Sequence, residues 1–324
     1  MPSPRSSQIC LEQTPFYHCV SRVVRRAYLC GKDSVSGRCY DHRRNWVEKR
    51  ILQLAKVFSI DVAAYAVMSN HLHVVLRVNQ SGANLLSPAS IAERWLSLFK
   101  GTTALREIAA GETQGRSDEE QLEVVAIYRQ RLACISWFMR CLNEPIARQA
   151  NAEDECTGRF WEGRFKSQAL LDERAVITCM AYVDLNPVRA QESKLPEHGP
   201  YTSLRLRVEA ASKGLEPKSL LPFQADSFRD ERCSIGISLR DYLQLVDATG
   251  RAIVEGKSGS ISDGVSDILS RLSLAKDNWL EHTSRFEAQF RGAAGSPESL
   301  TAYCIQTHRR RRPNTGIAPS LTFH

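Results

Sequence analysis

At 324 residues, with 43% hydrophobic and 24% charged side chains, the chain has the composition of an ordinary globular protein and is long enough for one large domain or two of about 150 residues. It can bury a core without disulfide or metal staples, and no apolar run approaches the roughly 18–20 residues that a membrane span needs. The formal net charge of +7 favours a polyanionic partner such as nucleic acid, although charge alone does not select one.

The segment Met1 to Gln8 is polar and leads into no apolar stretch. No secretory signal is expected, and the expected location is cytoplasmic. Cysteines fall at positions 10, 19, 30, 39, 134, 141, 156, 179, 233 and 304, and no two form a C-x-x-C pair. Free, mostly buried thiols are therefore expected, and neither a zinc ribbon nor a thioredoxin-like site. The charge is unevenly spread. Residues 1–110 carry 15 Lys/Arg against 7 Asp/Glu, residues 111–130 carry five acidic side chains against two Arg, and a basic knot follows at His308–Arg312. That knot reads as a tail with non-specific phosphate affinity.

In chain order, Phe16–Val24 is rich in β-branched and aromatic residues and predicts a strand. Asn45–Phe58 has apolar residues at helical spacing (Val47, Ile51, Leu54, Ala55, Phe58), with Arg43, Arg44, Lys49 and Arg50 expected on the wet side. Val62–Met68 and His71–Val78 are two strand-like runs joined by Ser69-Asn70, the signature of a β-hairpin. Ser87-Pro88 starts a helix whose residues Ile91, Trp95, Leu98 and Phe99 share a face. Thr102–Gln130 reads as an insertion or loop, and residues 131–150 resume a helical pattern. Phe165–Leu171 predicts a fourth strand. Asp172 is placed to cap a helix from about Glu173 to Leu185, which Pro187 should end.

The order β-α-β-β-α-β-α predicts an α+β fold with a ferredoxin-like antiparallel sheet and helices on one face. The domain reading is 1–195, with an inserted segment at about 102–130, followed by a mostly helical region over 196–324. That second region shows helical periodicity over 239–253 and 261–274, with Ser238 and Asp241 at the spacing of a capping box.

The chemistry-bearing residues lie in the hairpin and the last helix of the first region. Alternate strand residues face the same way, so His71 and His73 project from one sheet face and Leu72, Val74 and Leu76 from the other. Two adjacent imidazoles form half of a divalent-metal site, though half-buried structural histidines give the same pattern. Tyr182 and Asn186 are four apart and share a helix face. That helix, packed across the sheet, could bring a phenol and an amide beside the imidazoles. Tyr182 as a core aromatic and Asn186 as an ordinary residue before proline are the plainer alternatives.

Four ordered stretches resemble one family. Tyr65-Ala-Val-Met-Ser-Asn-His-Leu-His-Val-Val-Leu76 resembles the HUH signature, histidine–hydrophobic–histidine, of single-tyrosine transposases. Arg159–Ser167 (RFWEGRFKS) resembles the segment before their last strand, Ala181–Ala190 (AYVDLNPVRA) their tyrosine helix, and Phe16–Arg22 (FYHCVSR) their first strand. The nearest group is the REP-associated tyrosine transposases, whose longer bacterial members carry a C-terminal extension similar to Asp241–Arg251. The chain departs in having Ser69-Asn70 where relatives often have Pro-Asn, and in a longer 102–130 region.

The resemblance implies an enzyme that cuts and rejoins single-stranded or hairpin DNA through a 5′-phosphotyrosine, with a free 3′-OH as the other product. Tyr182 is then the nucleophile, and His71 and His73 hold Mg²⁺ or Mn²⁺, with Asn186 as candidate third ligand because hard cations take oxygen donors. Arg22, Arg25 and Arg26 are candidate phosphate contacts. Trp161 and Phe165 could stack on bases, with core packing the expected role. Three rivals compete: a hairpin-DNA-binding regulator without catalysis, a replication or conjugative HUH nickase, and a zinc hydrolase. Nickases often carry a second tyrosine or a third histidine near the pair, and a zinc hydrolase needs a further ligand. No second tyrosine or third histidine is expected near the pair, and no third histidine or cysteine sits at ligand spacing.

Overall fold

The structure is a computed structural model that describes residues 8–24, 28–33, 37–112, 115–224, 234–255, 263–309 and 313–314. The chain begins with β1 (Phe16–Arg22), α1 (His42–Val57), β2 (Ile60–Val67) and β3 (His71–Val78). Between β3 and β4 (Lys166–Leu170) lie α2 (Gln80–Leu85), α3 (Pro88–Leu96), α4 (Thr103–Ala110), α5 (Asp118–Leu132) and α6 (Ile135–Glu153). After β4 come α7 (Glu173–Asp184), α8 (Asn186–Arg189), α9 (Ser203–Ala211), α10 (Leu239–Glu255), α11 (Asp263–Arg271), α12 (Lys276–Gln289), β5 (Ala293–Ala294) and α13 (Pro297–Gln306).

The sheet runs β2-β3-β1-β4-β5. The first four strands pair antiparallel in the ferredoxin-like order, and β5 adds to β4 in parallel. The fold is thus α+β, as the element order predicts. The hairpin is also as read, with β2 and β3 separated by the Met68–Asn70 turn. Ser87 caps α3 through Ser90 N, and Asp172 caps α7 through Ala175 N at 2.9 Å.

Strand alternation divides the molecule into two cores. Tyr17, Cys19, Tyr65, Leu72, Val74 and Leu76 pack against Val47, Ile51 and Leu54 of α1 and Phe138 and Leu142 of α6. On the other face, Ala64, Ala66, Val75 and Leu170 pack against α7, joined by Tyr242 and Leu245 of α10 and Trp279 and Phe286 of α12. This second core draws on residues from both sides of position 195. The expectation of helices on one face holds for α1 and α6, the two crossover helices, but α7 covers the opposite face. The reason is visible in the sequence of Ile177–Val183, which is buried throughout rather than along one stripe. Such a helix is sandwiched, here between the sheet and the C-terminal helices.

Three further expectations are corrected. The segment 102–130 is helical, not a loop. Thr102 caps α4, and Ser117 with Glu120 forms a full capping box at the start of α5, whose acidic first turn (Asp118, Glu119, Glu120) complements the helix dipole. Arg43 and Arg44 are buried, not wet. Arg43 pairs with Glu153 at 2.7 Å and with Asp154, while Arg44 pairs with Glu192 at 2.8 Å and donates to Val67 O at 2.6 Å. Part of the N-terminal charge surplus is therefore consumed inside the fold. Ser238 accepts from Asp241 N at 3.1 Å, but the Asp241 carboxylate pairs with Arg271 at 2.9 Å.

The tyrosine helix ends before Pro187 as expected, with α7 stopping at Asp184, and a separate short helix, α8, follows with Pro187 in its first turn. Among the described residues no disulfide forms: Cys10, Cys19, Cys30, Cys141 and Cys179 are buried, Cys134 and Cys304 are half-buried, and Cys39 and Cys156 are exposed. Cys233 lies outside the described residues, as do Arg25, Arg26 and Arg310–Arg312. Among the described residues, no helix is long and apolar enough to cross a membrane.

Candidate active site

His71 and His73 leave β3 on the face covered by α7. Their ring centroids are 4.8 Å apart, and the His73 ring is 5.7 Å from that of Tyr182, nearly perpendicular to it. The two imidazoles and the phenol that the sequence nominates are thus brought together. His73 is fully buried and Tyr182 is 8% exposed. The Arg189 guanidinium lies 3.8 Å from the centre of the Tyr182 ring. Burial pushes the Tyr182 phenol up, and Arg189 pulls in the opposite direction. Arg189 is anchored by donating to Thr283 O at 2.7 Å and to Asn186 Oδ1 at 2.6 Å. Phe286 of α12 also packs on Tyr182, at 5.9 Å between ring centroids.

A third histidine joins them. His18, on β1, is buried, and its Nε2 lies 2.9 Å from His73 Nδ1. In the β1–β3 register Val20 faces His73 and His18 faces Val75, so His18 is the diagonal neighbour of His73 on the same sheet face. Local spacing cannot show this, because 55 residues separate the pair. The sheet order makes β1 and β3 neighbours, and with it the alternation of β1 would have found His18. Gln168 of β4, opposite His18 in the register, completes the row with Oε1 3.1 Å from His18 Nδ1.

Burial lowers the pKa of all three imidazoles. His71 falls to about 4, with Arg22 and Arg189 adding to the burial effect, and His73 falls well below its ordinary value. His18 is lowered by burial against the opposing Gln168 hydrogen bond. Neutral imidazoles are the form that binds a metal. His71 Nδ1 is 2.5 Å from Asn70 Oδ1, an acceptor, so this nitrogen carries the proton and Nε2 carries the lone pair. His73 Nε2 is buried with no hydrogen-bond partner. These donors fit a two-imidazole site for a divalent cation. Asn186 is buried one helical turn beyond Tyr182, but its Oδ1 is already held by Arg189 and its Nδ2 is unpartnered. Among the described residues, no group of three or more His, Cys, Asp or Glu side chains is arranged to hold a metal ion.

Arg22 is exposed and stands directly opposite His71 in the β1–β3 register, at the rim of the site. Beside it, Val23 bridges to Trp161, and Glu162 N donates to Arg22 O at 2.8 Å, so the RFWEGRFKS stretch runs along the end of β1. Trp161 is half-buried, with Nε1 donating to Asn143 O at 2.8 Å, and Phe165 is half-buried against the same core. Both residues also border a groove of about 1540 Å³ that opens on His18, Val20 and Gln168. Its walls carry Arg159, Arg164, Lys166, Arg291 and Arg309 against the single carboxylate of Glu287. This groove joins residues 159–168 to residues 287–309, so no window of sequence could reveal it.

No family model and no curated relative matches this chain. A solved structure described as "Structure of the REP associates tyrosine transposase bound to a REP hairpin" matches at 14% identity and a TM-score of 0.37, covering 74% of this chain and 100% of that one.

A salt titration tests the groove. If its arginines contact a DNA backbone, affinity for single-stranded DNA should fall by about 0.7 log units per log unit of salt for each phosphate contacted. Arg159→Gln combined with Arg291→Gln should then flatten that slope by roughly 1.4. Filter binding between low and moderate salt reads both, and an unchanged slope in the double variant would remove the groove from the DNA path.

Proposed function

We propose that the protein is a single-tyrosine DNA strand transferase, a transposase-type endonuclease that cleaves and rejoins single-stranded or hairpin DNA. The observation that carries this reading is the meeting of His71, His73 and Tyr182 on one sheet face, with ring centroids 4.8 and 5.7 Å apart. A core aromatic needs no such company, and a pair of structural histidines needs no arginine-covered phenol. When bound by His71 and His73, Mg²⁺ or Mn²⁺ would polarise the scissile phosphate and hold it in position, and Asn186, the candidate third ligand, would have to turn its Oδ1 from Arg189 to the ion.

The chain's own groups supply the rest. Tyr182 gives up its phenolic proton and attacks phosphorus, an O–P bond forms as the bond from phosphorus to the 3′-oxygen breaks, and that oxygen takes up a proton, which yields a 5′-phosphotyrosine and a 3′-OH. Arg189 favours the phenolate over the phenol. Arg22 at the rim and the basic groove beyond His18 are suited to backbone phosphates. Because the bond energy is retained in the phosphotyrosine, rejoining needs no nucleotide cofactor.

Under this reading, His71→Ala and His73→Ala lose cleavage while hairpin binding stays within a few-fold, since phosphate contacts made elsewhere govern affinity. Cleavage of a labelled hairpin oligonucleotide, with and without chelator, measures the first effect, and gel shift the second. Cleavage that persists in either variant with chelator present would remove the metal from the mechanism. The alternative of a binding-only hairpin regulator is favoured by one observation, the cover that Phe286 places over Tyr182. It predicts binding without any covalent adduct.

A further inference from the structure

We propose that Gln168 and His18 form a relay that fixes the tautomer of His73, so that His73 presents an Nε2 lone pair to the site. This deepens the metal-site reading above and names two positioning residues for it. The Gln168 side-chain nitrogen donates to Phe290 O, in the segment that follows α12. An amide nitrogen is a donor only and a carbonyl an acceptor only, so this bond orients the amide and turns Oε1 toward His18. His18 Nδ1, 3.1 Å from that oxygen, must carry its proton. In a neutral imidazole the other nitrogen is then bare, and His18 Nε2 accepts.

Its partner at 2.9 Å is His73 Nδ1, which must therefore donate. The two rings lie within 11° of parallel with centroids 5.1 Å apart. The nitrogens are closer than stacked ring faces allow, so the contact is an in-plane N–H···N bond. His73 Nε2 is left without a proton, and it is the buried nitrogen that has no partner. The opposite tautomer would set the bare Nδ1 of His18 against the Gln168 oxygen, two acceptors face to face in a buried site, where a lost hydrogen bond is costly. His71 reaches the same outcome by a shorter route, since Asn70 takes its Nδ1 proton. The two histidines thus have separate supports that leave equivalent nitrogens bare, and an outer partner that fixes ring tautomer raises ligand quality.

The test uses the full chain, with histidine nitrogens labelled, in the absence of metal at neutral pH. Long-range proton–nitrogen NMR reports which nitrogen of each ring is protonated, and manganese binding followed by electron paramagnetic resonance gives affinity. In the wild type, His73 should show protonated Nδ1 and bare Nε2, and His18 the same. Gln168→Leu should erase this single-tautomer signature for His18 and His73, leave His71 unchanged, and weaken Mn²⁺ binding by about 10- to 100-fold. A wild-type His73 with protonated Nε2 would overturn the relay without recourse to any variant, as would a folded Gln168→Leu protein with unaltered tautomers. A wild type with the expected tautomers that binds no Mn²⁺ would support the relay and overturn the metal reading, so the two failures are distinguishable.

Discussion

Tyr182→Phe is expected to abolish the covalent protein–DNA adduct while leaving folding and hairpin binding intact. The substitution removes one oxygen from a helix whose packing depends on its apolar surface. Deleting the nucleophile of a hydrolase costs on the order of 10⁶-fold in rate, so no adduct should be visible on a denaturing gel. The Tyr182 ring is held by His73, Phe286 and the Arg189 guanidinium, and Phe keeps these ring contacts, losing only the hydrogen bond between the phenol and Arg189. Tyr65 is the natural competitor in the sequence because it lies close to the histidines, but strand alternation sends it to the opposite face. There it is fully buried, with its hydroxyl donating to Glu48 Oε1 at 2.7 Å. Glu48 remains paired with Arg205 at 3.0 Å if that hydroxyl is lost. Tyr65→Phe should therefore cost about 1 kcal/mol of stability and leave the adduct unchanged. Labelled single-stranded hairpin DNA, incubated with each variant and Mg²⁺ or Mn²⁺, decides the matter. A normal adduct in Tyr182→Phe would sink the assignment.

What the sequence discloses follows from how local each signal is. The period-2 pattern of β3 and its short connector to β2 suffice to put His71 and His73 on one face, because alternation is a property of a single strand. The helix carrying Tyr182 is marked by the Asp172 cap and by Pro187. His18 lay in a strand that was itself legible, yet its partnership with His73 depends on which strand pairs with which and in what register. β5 is two alanines, Ala293 and Ala294, with no strand signature, and it forms only because β4 offers an open edge. Arg43 and Arg44 look like a solvated helix face, since nothing nearby announces that Glu153, Asp154 and Glu192 will meet them. The helices of 102–130 are a different case, since the Ser117–Glu120 capping box is a local signal: the acidic run at Asp118–Glu120 reads as a polar loop until its place in the first turn after a capping serine is recognised.

The largest expected stability change is at Asp184, two residues beyond Tyr182. Asp184→Ala should destabilise the protein by on the order of 3–5 kcal/mol. The carboxylate is fully buried and accepts from Ser203 Oγ at 2.5 Å, Leu204 N at 3.0 Å and Tyr242 Oη at 2.6 Å. These donors come from α9 and α10, so one side chain ties the tyrosine helix to two helices of the C-terminal region. Burial pushes its pKa up, and the Ser203 and Tyr242 hydrogen bonds, with the charge of Arg207, pull it down. Arg207 is itself buried, donating to Ala63 O at 2.8 Å and Leu221 O at 3.1 Å, while its Nε and Nη1 have no hydrogen-bond partner. Alanine would strand three donors and remove the negative charge that acts most strongly on that guanidinium. Asparagine keeps an acceptor oxygen and should lose distinctly less, and Tyr242→Phe, which removes one donor together with its need, about 1 kcal/mol. Urea unfolding of the three variants gives the ranking. A loss below about 1 kcal/mol in Asp184→Ala, less than one buried hydrogen bond, would mean that α7 is held by apolar packing alone. The expected ranking would instead identify the anchor that keeps the Tyr182 helix seated on the histidine face.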